Sequence, residues 1–128
     1  MSSVHAAVGW VVLGVFTVGW VWAGGAALSR RDPGPRFWTW LVVAQSVAGL
    51  QAGIGLILLA TGLRPSTWLH YVYGFGPLMI LAIGHALARE VKRQSAALPI
   101  APWGVFGLAA FICFGLSLRA LMTGLGIG

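Results

Sequence analysis

The chain has 128 residues, of which 59% are hydrophobic and 8% charged, and its mean hydropathy is +0.89. A water-soluble domain carries about 25% charged residues, so this composition excludes one and reads as an integral membrane protein. The net charge of +6 does not point to nucleic acid, because six of the eight basic residues sit in two short segments between apolar runs, without aromatic interleaving.

Four apolar runs follow one another along the chain, and each exceeds the roughly 20 residues a helix needs to cross a bilayer. Lipid offers no hydrogen bonds, so each run is expected to satisfy its backbone as a helix. The spacing predicts helices over about 4–28, 37–63, 67–90 and 101–124. The first run resembles a signal peptide only in its small residues at the end. The segment MSSVH before it lacks Lys and Arg and the run is too long for an h-region, so it is expected to remain as a helix. The breaks are SRRDPGPR, then GLRPS, then REVKRQSAALPIAP, whose 95–102 stretch is expected to lie on the membrane surface. Short connections favour antiparallel neighbours, which gives an all-α, up-down four-helix bundle, 1–128 forming one transmembrane domain. Arg30, Arg31 and Arg36 mark the first loop, and Arg89, Lys92 and Arg93 the third. Basic loops stay cytoplasmic, so both termini and the second loop are expected outside, in a multi-pass protein of a prokaryotic cell membrane. The seven tryptophans are expected as interface anchors, and glycines such as those of GLQAG as close helix contacts. Cys113 stands alone, which rules out an intramolecular disulfide or a CxxC pair and leaves a small buried hydrophobe.

The histidines carry the chemistry. His70 and His85 are 15 positions apart, which on a helix is about 22 Å of rise and a rotation of about 60°. They stand at different membrane depths, so one small metal site cannot use both. A two-haem arrangement on this helix would need matching histidines on a second helix, and the chain lacks them. His5 and His70 each fall in the first turn of a helix starting on the outer side, so they share a depth. If the first and third helices face each other across the bundle, these two histidines can clamp one haem iron from opposite faces. Gly9 and Gly74 each follow a histidine by four residues, on the same helix face, and are expected to leave room for a porphyrin. Arg64 and Arg119 lie away from the basic loops, while the two acidic residues, Asp32 and Glu90, belong to the other side. Both arginines are expected near the anionic haem propionates, with snorkelling to the outer headgroups as the alternative for Arg119. His85 is expected as a structural histidine bonded to a neighbouring helix. Gln45 and Gln51 are expected to form interhelical hydrogen bonds, a quinone headgroup being the alternative ligand.

From His5 to Arg93 the pattern resembles one four-helix half of the haem A synthase family. The shared features are a histidine opening one helix, a basic proline-containing inner loop, LQAGIGLILLATGL, a brief RPSTW turn, and LHYVYG opening the next helix. The resemblance implies that His5 and His70 ligate a b-type haem near the outer face. It covers three of the four helices. That family has two fused halves, an acidic residue beside its catalytic-half histidine and an outer-loop cysteine pair. Here one half is present, Ser3 and Val4 precede His5, and no cysteine pair exists. What carries over is haem binding, without the haem-oxidising chemistry. The expected function is a small cytochrome b-like protein for electron transfer or haem handling at the outer side, in contact with a redox partner or larger membrane complex. The alternative is a haem-free accessory subunit of a respiratory or photosynthetic complex. A homodimer would bring two His85 residues together. With only two acidic residues, both cytoplasmic, no carboxylate pair, Ser/His/Asp set or HExxH can be assembled.

Overall fold

The computed structural model describes residues 3–94 and 101–127. Within them run four helices: α1 (Ser3–Leu28), α2 (Pro35–Ala60), α3 (Leu69–Arg93) and α4 (Pro102–Gly124). All four are long and apolar enough to cross a membrane. Of the stretch expected on the membrane surface, 95–100 lies outside the described residues.

Local chemistry sets the helix ends. Pro35 and Pro102 open α2 and α4 at positions where a missing N–H is harmless. At the end of α2, Gly62 takes φ +90° and donates to the Leu59 carbonyl, while Leu63 N–H reaches back to Leu58. This left-handed cap closes α2 at Ala60, three residues before the end predicted from apolarity. The end of α1 makes the same pair of bonds, Arg30 to Ala27 and Arg31 to Ala26, but with Arg30 at φ +53° where glycine is the ordinary occupant. α3 begins two residues later than predicted, at Leu69, and runs on through its charged end to Arg93, where Glu90 pairs with Arg93 at 2.6 Å.

The helices form a ring in chain order, with α1 and α3 on one diagonal. α4 packs most heavily, against α3 and then α1; of the four adjacent pairs, α2 and α3 touch least. Small residues permit the close approaches. A Cβ added at Gly107 would lie 2.6 Å from the Ala23 Cβ, and one at Gly19 or Gly84 would make ordinary contacts with Ala110 and Ala109, respectively. The interior is narrow, centred on Phe16, Ala44, Leu81, Ala110 and Cys113, with a second cluster around Phe37 and Phe106. Outward faces are equally apolar: Trp10, Val18, Leu50, Ile57, Met79, Leu87 and Phe111 are all exposed. A bundle apolar inside and out has lipid as its solvent. Four of the tryptophans, Trp20, Trp22, Trp40 and Trp103, pack partly buried against the core clusters. Trp40 donates Nε1–H to the Val15 carbonyl at 2.8 Å, locking α2 to α1, and Trp20 stacks edge-on against Phe111. For Trp40, packed away from water, the carbonyl on the next helix satisfies the indole N–H.

Candidate functional site

The up-down path puts the start of α1, the α2–α3 turn and the end of α4 at one end of the bundle. The two basic segments gather at the other. A cavity of about 490 Å³ occupies the first end and takes lining residues from all four helices. Its size falls within the range of about 300–1,000 Å³ usual for small-molecule and cofactor sites.

His5 and His70 both line this cavity. Their ring centroids are 5.9 Å apart and the rings are inclined at 72°. His5 is buried, and His70 is half-buried. His70 donates Nδ1–H to the Ala120 carbonyl of α4 at 2.9 Å, and the Thr123 hydroxyl oxygen lies 3.2 Å from the same nitrogen. The Thr123 hydroxyl proton is already engaged, since it faces the Arg119 and Ala120 carbonyls at 2.9 and 3.0 Å. His5 is held from α2. Gln51 donates Nε2–H to the His5 carbonyl at 2.9 Å, and the His5 ring edge rests on Gly55, where an added Cβ would come within 3.3 Å of Cε1.

The other predicted site residues divide. Gly9 lines the cavity, and the room it leaves is taken by Gln51: a Cβ there would sit 3.2 Å from the Gln51 amide nitrogen. Gly74 also lines the cavity, and a Cβ there would meet nothing within 4 Å. Arg64 stands exposed among the lining residues. Arg119 is not among them. Its guanidinium lies 5.4 Å from the ring centroid of Tyr73, which does line the cavity, with Nη1 3.9 Å from the Met122 sulfur. Asp32 accepts from Gly34 N–H and Glu90 pairs with Arg93, both at the basic end, so neither carboxylate faces these two arginines. His85 lies 15 residues along α3 from His70 and bonds Gln45 of α2 at 2.7 Å, against the edge of Phe106. It belongs to a different place.

Gln51, Gly55 and Thr123 were not singled out in the sequence as parts of a histidine site. Gln51 and Thr123 carry a usable signal, being polar within apolar spans; Gly55 is one of 19 glycines and carries none. Among the described residues, two buried polar atoms in lining residues, Gln51 Oε1 and Ser117 Oγ, have no hydrogen-bond partner. Buried polar atoms left that way call for a water or a ligand. No group of three or more potential metal-ligating side chains occurs among the described residues.

Fold and site together define a multi-pass α-helical membrane protein with a two-histidine cavity at one end. No protein-family profile, curated protein or solved structure matches the chain.

Proposed function

We propose that this protein is a small haem b-binding, cytochrome b-like membrane protein that transfers electrons or handles haem at the outer side of a prokaryotic cell membrane. The observation that carries the reading is the 5.9 Å separation of the His5 and His70 rings inside the cavity. Two imidazoles on opposite faces of one iron hold their ring centres about 6 Å apart, so the spacing suits such a pair once the His5 ring turns its nitrogen from Gly55 towards the iron. Two imidazoles fall short of the donors a structural zinc site needs, whereas haem iron asks the protein only for axial ligands.

The remaining residues suit that group. Arg64, exposed among the lining residues and without a carboxylate beside it, would hold propionates by charge-assisted hydrogen bonds. Gly74 leaves open space one turn beyond His70. Gln51 fixes the first turn of α1 through the His5 carbonyl, and Gly55 gives the His5 ring its resting place. Haem iron held there supplies one-electron redox chemistry near the outer surface, where a redox protein or a larger membrane complex is the partner.

The test is an oxidised and a dithionite-reduced absorption spectrum of the detergent-purified protein, with a pyridine haemochrome count per chain. A sharp reduced α band at about one haem per chain, lost in both His5→Ala and His70→Ala, is expected. A colourless protein from haem-replete cells sinks the reading and leaves the haem-free accessory subunit in its place.

A further inference from the structure

The end of α4 does more than close the bundle. A carbonyl can only accept, so the 2.9 Å contact between His70 Nδ1 and the Ala120 oxygen puts a proton on Nδ1. In the neutral ring that leaves the lone pair on Nε2, the form able to bind a metal. Thr123 sits 3.2 Å from the same nitrogen, 1% exposed, with its own hydroxyl proton turned back into α4. It therefore offers Nδ1–H a second acceptor. Both acceptors belong to the last two turns of α4, where the negative end of the helix dipole favours a donor and raises electron density on the ring. The Ser66 hydroxyl reaches the Thr123 carbonyl at 3.5 Å, tying the α2–α3 turn to the same residue.

We infer that Thr123 is a positioning residue for His70: with the Ala120 carbonyl it fixes the Nδ1–H tautomer, orients the ring and strengthens Nε2 as an electron donor. This deepens the haem reading and rests on it for its redox consequence, though not for its tautomer. A stronger donor ligand favours ferric over ferrous iron, so removing the Thr123 oxygen should raise the midpoint potential. Loss of such an outer partner ordinarily lowers affinity about 10- to 100-fold. The Ala120 carbonyl remains in Thr123→Val, so the low end applies. Each tenfold by which ferric affinity falls more than ferrous raises the potential by about 59 mV for a one-electron couple.

The experiment compares wild type, Thr123→Val and Thr123→Ser by two readouts. The first is ¹⁵N NMR of histidine-labelled, cofactor-free protein, which reports the His70 tautomer. The second is the midpoint potential of the protein reconstituted with haemin. Support is a wild-type His70 protonated on Nδ1, a displaced Nδ1–H resonance and a raised potential in Thr123→Val, and recovery of both in Thr123→Ser. A wild-type His70 protonated on Nε2, or a Thr123→Val protein matching wild type in both readouts, overturns the inference. If the protein takes up no haemin yet shows the Nδ1–H tautomer and its disturbance in Thr123→Val, the haem reading fails and the role of Thr123 stands.

Discussion

The contact between Gly107 and Ala23 makes a prediction whose sign depends on the structure. Placing alanine for glycine in a helix ordinarily stabilises it by about 1 kcal/mol, through lower backbone freedom in the unfolded chain. At Gly107 the new Cβ would fall 2.6 Å from the Ala23 Cβ, well inside the roughly 3.5–4.0 Å at which carbon atoms attract. Neither carbon can rotate away, since each is attached directly to a helix backbone. α1 and α4 must separate locally by about 1 Å, a gap that forfeits a quarter to a half of each dispersion contact across the interface. Overpacking of this kind costs about 1–3 kcal/mol, and a contact this short belongs near the top of that range. Subtracting the propensity gain leaves Gly107→Ala destabilised by about 2 kcal/mol. Gly14 is the control, because a Cβ added there meets nothing within 4 Å. Gly14→Ala should stabilise by up to about 1 kcal/mol. Reversible unfolding in mixed micelles, followed by helical circular dichroism, measures both against wild type. If Gly107→Ala comes out as stable as Gly14→Ala, α1 and α4 do not approach as closely as described and the packing argument fails.

Three further outcomes are expected. Arg30→Gly should stabilise by about 0.5–1 kcal/mol in the same assay, because Arg30 occupies a left-handed φ of +53° that costs a side-chain-bearing residue about 1–2 kcal/mol, part of which glycine returns as unfolded-chain entropy. Gly55→Val should weaken haem binding about tenfold in a haemin titration while leaving the far-ultraviolet spectrum intact, since its side chain presses on the His5 ring. His85→Ala should leave the haem spectrum and potential unchanged and cost about 0.6–1.7 kcal/mol for the lost bond to Gln45.

Apolarity along the chain located all four spans, because in lipid a run of about 20 apolar residues has one way to satisfy its backbone. It located their ends less well. Hydropathy follows the membrane, whereas helix ends follow local backbone chemistry: Gly62 stops α2 inside an apolar run, and α3 continues past one through its charged end to Arg93. The depth shared by His5 and His70 was legible from strand-free counting of turns and loops. Their facing across the ring required knowing which helices are diagonal. Rotation about each helix axis was illegible, and the supporting residues depend on it. Gln51 turns towards α1, Thr123 towards His70, and Arg119 onto Tyr73 instead of the cavity, and nothing in spacing alone separates these outcomes. Trp40 shows the same gap, since residue type alone does not reveal its bond to the Val15 carbonyl of α1.

The unequal sharing of contacts around the ring bears on how the ring is held together. α4 follows the other three helices in the chain, packs most heavily, and carries both acceptors for His70. α2 and α3 are neighbours in sequence yet form the sparsest of the four adjacent contacts. Without α4, then, the first three helices keep only the α1–α2 packing and the sparse α2–α3 contact, and the ring stays open. Closure of the ring and delivery of both His70 acceptors are thereby one event, so a chain cut before α4 leaves His70 without them.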